Sequence, residues 1–489
     1  MNILRKFASI ATLTISLTTS VSSQEARQAR FTGGVQSVTT DGDFVISRTL
    51  ILRPQIAEQA LSSRLFPSAD KLRRGTAAQI YLRMTWEAGE SIRVLERFRG
   101  EADQSLEELD LNFVAANTPL RWSELKRAAY RERAEWEYPI DEVPWVDVLL
   151  PDIQQSRSFH YAIVSSARAD ILRGEISAAE EKIAIAFAFA KHIGESPFIV
   201  ARIIQFTQCD HACSAVEELV QHPSSPNYFW DLTSLPKPMI DIRSAIQFES
   251  VALEKTFPEL SNLERLDSDH EWQELQSTIF NKIPEFAEVS PDATDIGGRS
   301  RADLKQAMND WPEIARKRLP AIDKRFKDKM DSMCDAEASV RYLYERSRQL
   351  NRQRLAVSLL EPHVAVPRSI VEDKRMADSC ADEQLLKFIM LGISNGFIRR
   401  AWELDQKFAM LRVVESIRDW SGRNDGKLPT SLDDLTLPIP EDCLTNKPFR
   451  YELSADGKSA DVRSGKVPYA HGSNEQTHVR YLHYHLTLE

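Results

Sequence analysis

The stretch from Ser158 to Val220 constrains the fold more than any other part of this chain. Apolar and small residues recur at helical spacing through three blocks, Ser158–Arg173, Ser177–Ile193 and Phe198–Val220. Gly174-Glu175 separates the first two, and Gly194–Pro197 separates the second and third. Glycine at a helix end and proline just beyond it are stop signals with a steric cause. The spacing therefore predicts three consecutive antiparallel helices. Ala167, Gly174, Ala179 and Ala186 fall where two of them must cross closely.

Before this block, the first 23 residues read as an export leader. Arg5 and Lys6 precede an apolar run, Phe7–Val21, and small residues suit cleavage before Gln24. The run is short and rich in Ser and Thr, which argues against an anchoring helix. No later run is longer and apolar, so no membrane span is expected in the mature chain. Residues 24–49 read as a polar lead-in and 50–157 as an N-terminal helical region, with helices expected over Glu101–Ala116 and Trp122–Glu135. The central helical region covers 158–288, with a helix expected over Met239–Lys255 after the prolines of His222–Pro238, and a loop is expected at 289–300. Residues 301–421 are a C-terminal helical region. There Phe397, Ala401, Leu404, Phe408, Leu411 and Val414 make the seam of a long helix, or of a closely coupled pair, expected over Leu385–Trp420.

Residues 422–489 change character. Phe449–Leu453 and Ser459–Arg463 flank the turn pair Asp456-Gly457, and His478–Leu488 alternates as a third strand. The fold class is therefore mainly α, an irregular helical-hairpin array with a small β element at the C-terminus.

Three patches carry a resemblance. They are the run from Ser62 to Met84, the central block with its proline break and following helix, and the tail KLPTSLDDL with LTNKPFRYELSADG. Together they resemble a family of exported, uncharacterised, tetratricopeptide-like helical proteins of planctomycete-type bacteria. The tail is similar to the end of secreted pseudopilin-like sequences. The resemblance implies a helical exported protein and assigns no reaction. A tetratricopeptide array needs several hairpins in strict period, and this chain offers one.

Formal net charge is −10, or −12 without Arg5 and Lys6. An acidic chain whose arginines alternate with Glu is a poor phosphate binder, so no nucleic-acid partner is expected. No Walker loop, dinucleotide fingerprint, G-x-S-x-G elbow or H-E-x-x-H occurs, and no cofactor is expected. Cys209, His211 and Cys213 suggest zinc at first sight. On a helix, however, His211 lies about 200° round from Cys209, so both cysteines read as core. Cys209, Cys213, Cys334, Cys380 and Cys443 make an odd count. Export permits a disulfide, and Cys334 with Cys380 is one possible pairing.

Two candidates for chemistry remain. Glu249 interrupts the Ile242–Ile246–Leu253 face, where a carboxylate needs a partner or an upward pKa shift. Arg202 is the expected partner, and a catalytic acid is the alternative role. His483 and His485 share one face of a strand, the minimum for a metal pair; surface histidines are the plainer reading. The expected function is an exported soluble helical scaffold or binding protein for a peptide, protein or envelope component. The alternatives are a periplasmic hydrolase using buried carboxylates and a structural envelope protein.

Overall fold

A computed structural model describes residues 29–31, 34–38, 43–58, 63–88, 92–117, 121–143, 148, 150–287, 301–379, 382–389, 395–469 and 478–489. The leader at 1–23, the loop at 289–300, Cys380 and His471 lie outside them.

The chain is mainly helical. The central block forms α5 (Pro151–Arg173), α6 (Ile176–Gly194) and α7 (Ile199–Gln221), within a few residues of expectation. They follow strands β1 (Ala29–Phe31), β2 (Gly34–Val38) and β3 (Phe44–Leu52) and the shorter helices α1 (Ala78–Ala88), α2 (Ile92–Asp103), α3 (Leu111–Asn117) and α4 (Trp122–Ala129). Gly174 ends α5 at φ +73°, a left-handed position that disfavours a side chain. Its N–H and that of Glu175 return to Ile171 and Asp170 carbonyls, closing the helix end. Gly194 ends α6 against Gln205, and any side chain there would collide with it. Ala167, Ala179 and Ala186 are fully buried at the crossings.

The helix expected over Trp122–Glu135 stops at Ala129. Arg131–Arg133 instead forms a strand beside Arg73–Thr76. The helix expected over Met239–Lys255 is two pieces, α8 (Arg243–Glu249) and α9 (Ala252–Thr256). The long C-terminal helix, α10 (Asn395–Arg423), buries its predicted seam from Ala401 to Val414 against α7.

Two hydrophobic cores result. One runs from Leu50 through the central helices and α10 to Leu486. The other gathers Phe257 to Leu386 around the fully buried Trp311, whose indole donates to the Ser339 carbonyl at 3.0 Å.

The sheet departs most from expectation. The tail does form strands at Arg450–Leu453, Ser459–Arg463 and His478–Leu488. Their sheet also takes in the segment read as a loose lead-in, which supplies Ala29–Phe31, Gly34–Val38 and β3. β3 lies parallel to the last strand, with Ser47 opposite His483 and Thr49 opposite His485. On β3, Leu50 and Leu52 point into the core, while Ser47, Thr49 and Ile51 point the other way. The hairpin partner Gly34–Val38 covers β3 only as far as Ser47. Beyond that, no other described strand pairs with the outer edge of β3, and this edge borders a cleft.

Candidate functional site: a cleft at the strand edge

The cleft holds about 880 Å3 and opens to solvent. Ser47, Thr49 and Ile51 of β3 form one wall, with His483 and His485 beside them. The turn Gln104–Glu108 after α2 and the ends of α5 and α7 form the opposite side.

Arg48, Arg168 and Glu218 line the cleft, and their charges are matched. Glu217 is buried; it pairs with Arg48, accepts from the Tyr484 hydroxyl and lies 3.6 Å from Lys407. Glu218 takes two bonds from Arg168, at 2.8 and 2.9 Å. Asp210 lies 3.0 Å from Lys407. Three cations thus face three carboxylates. Arg168 also donates to the Glu101 and Gln104 carbonyls, both at 2.8 Å, which fastens the Gln104 turn to α5 and, through Glu218, to α7. Buried charge is tolerated only with such pairing. These groups are therefore occupied with one another rather than aimed at a ligand.

What the cleft leaves available is different in kind. Ile51 and Leu172 both line it, at 40% and 38% exposed. Strand periodicity turns the main chain of Thr49 and Ile51 toward the open edge, and the Ile51 N–H is met there by Gln221 Oε1 at 3.1 Å. The exposed acids of the rim are Glu107, Glu108 and Glu489.

His483 and His485 sit on the same strand face, as expected. Both turn to one carboxylate, with His483 Nε2 2.8 Å and His485 Nδ1 2.9 Å from Asp461 Oδ1. Among the described residues no group of three His, Cys, Asp or Glu side chains is arranged to hold a metal ion. Burial works to raise the Asp461 carboxyl, but bonds from His485 and His483 and the charge of Arg463 hold it below its ordinary value. Ser47 Oγ lies 3.2 Å from His483 Nδ1. Sequence reasoning missed Ser47, since a single serine in a strand carries no pattern.

Glu249 lies elsewhere. Its Oε1 accepts the Ile199 N–H, the first of α7, at 2.7 Å. Burial pushes its carboxyl up to about 7, against the pull of that bond. The expected partner is engaged elsewhere: Arg202 donates to the Asp241 carbonyl at 2.9 Å and to Ser244 Oγ at 3.0 Å. Glu249 ends its short helix and is not among the cleft residues. Cys209 and Cys213 are fully buried and free, while His211 turns away to pack at a tilt against Tyr161 and line the cleft. Cys334 is also free, and its Sγ accepts the Glu337 N–H at a helix start.

No family model, no curated protein and no solved structure matches the chain. Among the described residues, no helix is long and apolar enough to cross a membrane.

Proposed function

We propose that this chain is an exported helical binding protein whose ligand is an extended peptide segment, neutral or basic, lying along the open edge of β3. The supporting observation is the cleft itself, which borders the β3 edge at Thr49 and offers two partly exposed aliphatic side chains while its charged groups pair with one another. Peptides add to strand edges through main-chain hydrogen bonds, and side-chain pockets supply selectivity. Ile51 and Leu172 offer such apolar contact, and the acidic rim disfavours an acidic ligand. The leader pattern at 1–23 supports action outside the cytoplasm, in the periplasm or beyond it.

Selection of a displayed random-peptide pool against the protein starting at Gln24 tests the reading. Enriched peptides, resynthesised with a fluorophore, should bind the protein and lose at least tenfold in affinity to Ile51→Asp and Leu172→Asp. Both positions are partly exposed, so the fold should tolerate them. Failure to enrich any peptide, or binding indifferent to both changes, would remove the proposal.

Hydrolysis by buried carboxylates has less support. Glu249 serves a helix end, and Asp405, pushed up to about 6 by burial, accepts the Met239 N–H at 3.1 Å. Neither is among the cleft residues.

A further inference from the structure

We infer that Ser47, His483 and Asp461 form a nucleophilic relay through which this cleft transfers acyl groups, with carboxylic esters as the substrate class. Three adjacent strands supply the three side chains on one sheet face. Ser47 Oγ is 3.2 Å from His483 Nδ1, and His483 Nε2 is 2.8 Å from Asp461 Oδ1. A neutral His483 with its proton on Nε2 satisfies both contacts: it donates to Asp461 and leaves Nδ1 to accept from Ser47. That is the arrangement a base needs in order to activate a hydroxyl.

Two further observations separate this from an ordinary polar ladder on a sheet. Ser47 and His483 line the cleft, while Asp461 is not among its lining residues, so the relay runs from the ligand space backward. Asp461 is also held by Arg463 Nη2 at 3.0 Å and by His485 Nδ1 at 2.9 Å. Such support fixes the carboxylate, which in turn fixes the imidazole. Thr49 lies two residues from Ser47 on the same face and is exposed, so its hydroxyl can donate to a carbonyl oxygen as charge develops there.

The step balances without any redox partner. Ser47 Oγ bonds to the ester carbonyl carbon as its proton passes to His483 Nδ1. The bond from that carbon to the alcohol oxygen breaks, and the proton leaves with the alcohol. Water then attacks the acyl-serine, giving a proton to Nδ1. The carbon–Oγ bond breaks, Oγ recovers the proton, and a carboxylic acid departs. Ester and water become acid and alcohol. The inference shares the cleft with the peptide reading but does not depend on a peptide occupant.

A fluorophosphonate probe tests it, because an activated serine displaces fluoride from phosphorus and keeps the phosphonyl group. Peptide mass mapping should place the label on Ser47, and Ser47→Ala should lose it. His483→Gln should slow labelling about 100-fold or more, the scale of a lost general base. Asp461 acts as a positioning residue: Asp461→Asn should slow labelling, and Asp461→Glu should restore part of the rate at an unchanged melting temperature. An unlabelled Ser47 in folded protein, or labelling that persists in His483→Gln, would overturn the relay. Labelling without peptide binding would remove the peptide reading alone, and peptide binding without labelling would remove the relay alone.

Discussion

Replacing Glu249 with Gln should make this protein more stable at pH 8. The carboxylate sits half-buried at the start of α7 with the Ile199 N–H as its donor. Its pKa, raised to about 7, lies above the 4.5 of a free glutamate side chain. The folded state therefore binds the proton more tightly than the unfolded state. Stability from this group is fully present below pH 4.5 and is lost as pH rises through 7. At 1.36 kcal/mol per unit, discounted for partial exposure, the charged form costs about 2–3 kcal/mol at pH 8. Glu249→Gln keeps an oxygen for the Ile199 N–H and removes the charge. Urea unfolding should show the variant about 1–3 kcal/mol more stable than wild type at pH 8 and nearly equal at pH 5. Glu249→Ala also loses the acceptor, which costs about 1 kcal/mol, so it should fall below the Gln variant at both pH values. A Gln variant weaker than wild type by about 3–5 kcal/mol at pH 8 would refute the reasoning, because that is the cost of breaking a buried ion pair.

Acid should act in the opposite direction through the histidines. His192 and His211 are lowered by burial to about 3 and about 4, and His160 well below its ordinary value. All three stay neutral when folded and take protons on unfolding, so the stability they carry is lost as pH falls below 6.5 toward their folded values. His160→Leu should flatten the acid limb of a melting-temperature profile between pH 6.5 and 4. Cys209→Ala with Cys213→Ala should lower stability by roughly 1–3 kcal/mol in denaturant titrations, as for small buried hydrophobes. Metal analysis of the same protein should find no stoichiometric zinc for the pair to release. Arg168→Met leaves Glu218 to the more distant Arg48, 4.0 Å away, and frees the Gln104 turn, so it should cost about 3–5 kcal/mol by urea unfolding.

The helices were legible where period and punctuation agree locally. Gly174 and Gly194 marked the ends of α5 and α6 because backbone geometry and close approach demand glycine there. The last strand and Ser459–Arg463 were legible through alternation and the Asp456-Gly457 turn. β3 was not, although FVISRTLIL is rich in strand formers. Its parallel partner lies 436 residues away, and no local pattern reports such a pairing. The same distance hid Ser47. The shared face of His483 and His485 could be read from alternation, but their common partner Asp461 is set by strand register. Arg202 is not the partner of Glu249, because the helix that the spacing predicts over Met239–Lys255 is broken. The break after Glu249 leaves that carboxylate at a helix end, while Arg202 turns to Asp241 and Ser244.

The claim that a ligand lies along the open edge of β3 is tested most directly by amide hydrogen exchange with and without an enriched peptide. Bound peptide should slow exchange at Thr49 and in the Gln104–Glu108 turn, and leave the Trp311 core unchanged. Protection confined to the second core, or none at the strand edge under saturating peptide, would contradict the account.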